Sequence, residues 1–140
     1  MRIFLDANII FSAVKSDGAI HDFIHALIDQ GHLLVADPFT TEEARRNITL
    51  KFPGRLATLT SFLRSFELAG SPSDPVDLDP SIQLVDKDRP VLASAIRLRC
   101  DFLLTGDSTH FGHLYGTSIQ GVVPISPLML AEFIDSHSHA

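Results

Sequence analysis

The chain has 140 residues, 45% of them apolar, which suits one globular domain with one core rather than a disordered segment. Its formal net charge of -6 argues only mildly against nucleic-acid binding by bulk electrostatics, because nine of the eleven Lys and Arg residues lie between Arg45 and Arg99, and its single cysteine, Cys100, excludes an internal disulfide and a cysteine-based metal site. No apolar run approaches the span of a bilayer and no basic-then-apolar signal pattern opens the sequence, so a soluble cytoplasmic protein with no membrane partner is the expectation.

The predicted elements alternate along the chain. Ile3-Phe4-Leu5 is an unbroken apolar run, as in a strand covered on both faces. Helical pattern follows: Ile20, Phe23, Ile24, Leu27 and Ile28 recur at helical spacing until Gly31 marks the stop. Leu33 to Val35 reads as a second strand, and Thr40 to Phe52 and Gly54 to Phe66 read as helices around Pro53. Gly70 to Pro80 is a connection rich in Pro and Asp, and Ile82 to Val85 carries only a faint strand signal. Arg89 to Arg99 is a predicted helix with Val91, Leu92, Ala95 and Ile96 on one side. Phe102 to Leu104 and Val122 to Ile125 are strands, and Pro127 to Ile134 is a last helix before a polar tail at about 136–140. No repeat and no internal boundary interrupts residues 1–140. Strands alternating with helices imply an α/β fold around a mainly parallel sheet.

Such sheets place their sites at the carboxyl ends of the strands. Asp6 directly follows the first strand and Asp107 closely follows the Phe102 to Leu104 strand. Glu43 falls in the first turn of the helix predicted from Thr40, and Asp88 heads the helix from Arg89 on its core-facing stripe. Acids gathered at one edge repel, and a hard cation such as Mg²⁺ or Mn²⁺ relieves that with carboxylate and water ligands. Each acid also has a purely structural reading. Asp6, Asp88 and Asp107 suit helix caps, and Thr40-Thr41-Glu42-Glu43 fits a capping box. Their joint placement is what points to a site.

The order of motifs carries a family resemblance. DANIIFSAV from Asp6, an acid in FTTEEARRNI, DRPVLASAI from Asp88, and LLTGDSTHF from Leu103 together resemble the PIN-domain ribonucleases. That family includes the VapC-type toxins of toxin–antitoxin modules, and the likeness runs over nearly the whole chain. Its ends are most specific: Asp6-Ala7-Asn8, and Asp88 with the Val-Leu-Ala-x-Ala run followed by Thr105-Gly106-Asp107. In the middle Glu42 competes with Glu43, and Asp86 with Asp88. Where the family often has another acid after Thr-x-Asp, this chain reads Ser108-Thr109-His110.

The resemblance implies a three-layer α/β/α fold, metal-dependent RNA hydrolysis, a homodimer and a cognate antitoxin. It implies Mg²⁺ or Mn²⁺ on Asp6, Asp88 and Asp107, with Glu43 completing the acidic pocket. Asn8, Ser12, Thr105 and His110 are supporting candidates. Arg45, Arg46, Lys51, Lys87 and Arg89 are candidate phosphate contacts, although solvated helix faces account for them equally well. His21 and His25 have the spacing of a helical metal pair but no third ligand, and His137 and His139 belong to the tail. A wide apolar stripe at Ile20 to Ile28, with Ile48, Phe52, Leu59, Phe62, Leu63 and Phe66, is expected to leave an interface patch. Two other classes compete with an RNA-cleaving toxin. One is a non-catalytic PIN-like binding module. The other is a phosphatase of the haloacid-dehalogenase type, which needs a second Asp where Asn8 stands.

Overall fold

The computed structural model describes residues 1–69 and 77–138. Five strands form one sheet: β1 (Arg2–Leu5), β2 (Leu33–Ala36), β3 (Phe66–Leu68), β4 (Phe102–Leu104) and β5 (Val123–Ile125). Their spatial order is β3-β2-β1-β4-β5, and every neighbouring pair is parallel. The helices are α1 (Ala7–Lys15), α2 (Ala19–Asp29), α3 (Pro38–Lys51), α4 (Leu56–Leu63), α5 (Arg89–Arg97), α6 (Ser108–Phe111) and α7 (Pro127–Ser138). Among the described residues, no helix is long and apolar enough to cross a membrane.

The alternation of side chains along each strand builds two cores. Ile3, Leu5, Leu34, Ala36 and Leu104 point to one face, where Ile10, Ile24, Ile48, Leu59 and Leu130 bring in α1, α2, α3, α4 and α7. Phe4, Val35 and Leu103 point to the other, against Val91, Leu92 and Ala95 of α5 and Phe111 of α6. Both faces of β1 are thus covered, which is why its sequence is continuously apolar instead of alternating.

Several boundaries differ from the sequence reading. The helix read as Gly54 to Phe66 ends at Leu63, and Phe66–Leu68 is the edge strand β3. Phe66 follows Phe62 and Leu63 by four and three residues, so helical periodicity runs on across the break. The β3 strand has only Phe66 buried and carries no inward alternation of its own. No strand forms at Ile82 to Val85. The helix expected from Thr40 begins at Pro38, and its capping box is Asp37 with Thr40, not Thr40 with Glu43. The Asp37 carboxylate accepts from the Thr40 N–H at 2.8 Å, and both residues are buried. The tail is helical to Ser138, with His137 stacked on Phe133 at 4.0 Å between centroids. His139 and most of the expected Gly70 to Pro80 connection lie outside the described residues.

The apolar stripe is largely consumed by the monomer. Ile24, Leu27, Ile48, Leu59, Phe62, Leu63 and Phe66 are buried, and Ile20, Phe23 and Ile28 pack against the same core. Of the residues expected to leave an interface patch, Phe52 alone remains exposed.

Candidate acidic site

The chain leaves β1 toward β2 on one side and enters β4 on the other, so the sheet's switch point lies between β1 and β4. The Asp6 N–H continues the ladder to the Leu104 carbonyl at 3.0 Å, which sets the two strand ends side by side. The segments beyond them must splay apart there, and a cleft opens. Its volume is about 300 Å³, and its lining includes Asp6, Asn8, Glu43, Asp88 and Asp107.

Asp6 caps α1, its Oδ1 accepting from the Ala7 N–H at 2.8 Å. Its Oδ2 accepts from the Thr105 hydroxyl at 2.8 Å and from the Asn8 amide at 3.0 Å. Burial pushes its carboxyl above the usual range, the hydrogen bonds from Thr105 and Ala7 oppose that, and the charges of Asp88 and Glu43 raise it further. Capping and site placement are therefore compatible at one residue.

Thr105 is fully buried and holds the β4 loop together. Its Oγ1 also accepts from the Asp107 N–H at 3.2 Å, and its carbonyl accepts from the Tyr115 hydroxyl at 2.8 Å. Asn8 completes the clasp by accepting from the Gly106 N–H at 2.9 Å. A Cβ on Gly106 would stand 3.4 Å from that Asn8 oxygen, so the loop seats closely on α1.

Asp88 stands before α5 but makes no capping hydrogen bond. Its side chain is only 13% exposed and turns toward Asp107 and His110. The His110 Nδ1 lies 2.8 Å from an oxygen of Asp88 and 2.8 Å from one of Asp107. Neither approach has hydrogen-bond geometry: Asp88 Oδ2 and His110 Nδ1 are buried polar atoms without a hydrogen-bond partner. Donor atoms of Asp88, Asp107 and His110 all lie within 4.8 Å of one another. Asp107 also caps α6, accepting from the His110 N–H at 3.2 Å.

Glu43 enters the cleft from the second turn of α3, because that helix starts earlier than its sequence suggests. Glu42 is exposed and 3.9 Å from Arg45, and Asp86 is exposed outside the cleft lining. Glu43 makes no hydrogen bond or ion pair among the described residues.

The cations divide. Lys51 and Lys87 line the cleft, whereas Arg45 and Arg46 are exposed outside its lining. Arg89 is occupied elsewhere, donating to the carbonyls of Leu78, Asp79 and Ile82. Ser12 lines an adjoining groove of about 370 Å³ that shares Asn8 and Asp107 with the cleft. His21 is partly buried against the Ala13 carbonyl at 3.2 Å, while His25 is exposed, with its ring 4.2 Å from that of His21.

Asn47, Phe11 and Tyr115 were missed in the sequence. Asn47 had a signal, since Glu43, Asn47 and Lys51 repeat every fourth residue along one face of α3. Phe11 reads as core by pattern, and Tyr115 reaches Thr105 only through the fold.

A parallel sheet covered on both faces, with carboxylates beyond the ends of β1 and β4, makes a three-layer α/β/α domain. The fold is similar to that of a chain in the crystal structure of VapBC2 from Rickettsia felis, solved bound to a DNA fragment from their promoter. The TM-score is 0.68 at 14% sequence identity, over 90% of this chain and 98% of that one. No protein-family profile matches the chain, and no curated protein matches it in sequence.

Proposed function

We infer that the protein is a metal-dependent endoribonuclease that hydrolyses phosphodiester bonds, and that it serves as the toxin of a toxin–antitoxin module. The observation that carries this reading is the convergence of Asp6, Glu43, Asp88 and Asp107 on one cleft at the switch point. The donor set suits a hard divalent cation: buried Asp88 Oδ2 and His110 Nδ1 lack hydrogen-bond partners, and the rest of the lining is rich in carboxylate. Asp88 and Asp107 would hold the ion, with His110 beside them and Asp6 acting directly or through water. Its nitrogen favours Mn²⁺ over Mg²⁺ as a direct ligand set. Bound there, such an ion supplies an activated water and neutralises charge on the phosphate.

The protein's own contribution is placement. Thr105 and Asn8 fix the Asp6 carboxylate, and through Gly106 and Asp107 they fix the loop that carries the other acids. Glu43, with no partner among the described residues, is the carboxylate free to accept a proton from water at its Oε atoms. Lys51 and Lys87 sit where a scissile phosphate would approach.

The fold likeness to a VapBC2 chain supports an antitoxin as partner. A segment of it laid over the cleft and offering an Arg to the carboxylates would displace the ion and silence the enzyme. A homodimer in the cytoplasm completes the proposal.

The decisive experiment is cleavage of RNA by purified protein with Mg²⁺ or Mn²⁺, repeated with chelator. Asp88→Asn and Asp107→Asn should each lower the rate by about 100-fold or more with the fold retained. Unchanged rates in both variants sink the site assignment. RNA binding with no cleavage under any metal would favour the non-catalytic module.

A further inference from the structure

Beside the acids lies a cluster of which the hydrolytic reading uses only Lys51. Phe11 of α1 and Lys51 at the end of α3 share one wall of the cleft. The Lys51 ammonium stands 5.5 Å from the Phe11 ring centroid, and the Lys15 ammonium 5.8 Å from it. Phe52 sets its ring 5.8 Å from that of Phe11, tilted by 52°, and is 40% exposed. Neither ammonium has a carboxylate within 4.0 Å among the described residues.

Two like charges at one ring repel, and the ring's quadrupole holds each only weakly. Their field is left open to an anion. The exposed part of Phe52 is left to an apolar or π-bearing group. A nucleotide answers both needs, since every base has a π-face and every linkage a phosphate. The overall charge of -6 and the cleft acids repel an RNA backbone, so any grip on it must come from a local cationic surface such as this.

We propose that this cluster seats one unpaired nucleotide of an RNA strand next to the acid cleft. The base stacks on Phe52 with Phe11 behind it, and Lys51 and Lys15 neutralise the flanking phosphates. A paired base is already stacked within its helix, so the occupant is a single-stranded segment. A phosphodiester is the anion that the proposed chemistry brings there. The proposal rests on the RNA-cleavage reading for the identity of the strand.

The test uses the full chain, an unstructured labelled RNA oligonucleotide and its perfect duplex. Fluorescence anisotropy measures binding, and cleavage kinetics with Mn²⁺ run in parallel. Phe52→Ala should weaken binding and raise KM by about 5-fold or more with kcat little changed, and Phe52→Trp should restore both. Lys51→Gln should flatten the slope of log affinity against log salt by about 0.7, the loss of one phosphate contact. Leu50→Ala, a neighbouring exposed apolar residue, should change nothing. The duplex should compete at least about tenfold less well than the single strand. Cleavage that persists while Phe52→Ala and Lys51→Gln bind as the wild type overturns the platform and leaves the nuclease standing. Binding that depends on Phe52 in a protein that cleaves nothing keeps the platform and removes the nuclease. Equal competition by duplex, or loss of a bound protein partner with RNA affinity intact in the same variants, overturns the proposal.

Discussion

Asp6 is buried, and its carboxyl sits above the ordinary 3.8 chiefly because burial penalises its charge. The folded protein therefore holds this proton more tightly than the unfolded chain does. Its contribution to stability is fully present below 3.8 and is lost as pH rises through the folded value. Urea titrations in chelator between pH 4 and 7 should show a flatter pH dependence for Asp6→Asn than for the wild type; parallel curves refute the assignment. That substitution also places an amide among the donors of Ala7, Asn8 and Thr105, so its net stability change mixes two effects. Glu43→Gln is the cleaner relief of repulsion, since Glu43 loses no partner among the described residues. It should raise the metal-free melting temperature, and added salt should shrink the gain. Cys100 is a second single-residue case. Burial pushes its thiol up to about 12, so it should resist thiol reagents at pH 8 until the protein is unfolded. Rapid labelling of the folded chain would contradict this.

Two helix ends show how one motif accepts different residues at different cost. At the end of α2 the His32 N–H bonds the Leu27 carbonyl and the Gly31 N–H bonds the Ile28 carbonyl, with Gly31 at φ 86°. At the end of α5 the same pattern joins Cys100 to Ala95 and Arg99 to Ile96, but Arg99 takes the left-handed position at φ 56°. Arg99→Gly should therefore stabilise the protein by about 0.5–1 kcal/mol, the relief of left-handed strain less the added freedom of the unfolded chain. At the start of α3, Asp37→Ala removes a buried cap and should cost about 1–2 kcal/mol. Thermal melts of the two variants should move in opposite directions. The elements that were legible in the sequence are those with a complete local pattern: the apolar runs of β1 and β4, and the stripe of α2. The edge strand β3 was not, because with only one inward residue it continues the periodicity of α4.

At the scale of the whole molecule, the apolar residues expected to leave an interface patch close the core of the monomer almost entirely, with Phe52 left exposed. A homodimer must then use other surface, and Phe39, Leu68 and Leu128 are among the large apolar side chains left exposed. Light scattering at micromolar concentration should report twice the chain mass, and a monomer removes the dimer. An antitoxin partner should both bind and suppress RNA cleavage; a neighbouring gene product that binds without inhibiting would count against the toxin reading.

Local chemistry was enough to mark Asp6 and Asp107 as candidates, because each directly abuts or closely follows an element whose pattern is unmistakable, whereas Asp88 still competed with Asp86. It also brought Glu43 forward beside Glu42, but a helix start misjudged by two residues left the pair unresolved. Only the fold turned Glu43 into the cleft and Glu42 to solvent, since side-chain direction on a helix changes by about 100° per residue. The same holds for the cations: five looked alike in sequence, and packing sent Arg89 to three backbone carbonyls and Lys51 to the rim beside Phe11. The contact of His110 with two carboxylates depends on where α5 and α6 end in space. Nothing in a linear pattern encodes that distance. A sequence states the residue types and the local periodicity that form each element, whereas the meeting of side chains from residues 6, 43, 88 and 107 is decided by how the parallel sheet brings distant strand ends to one edge.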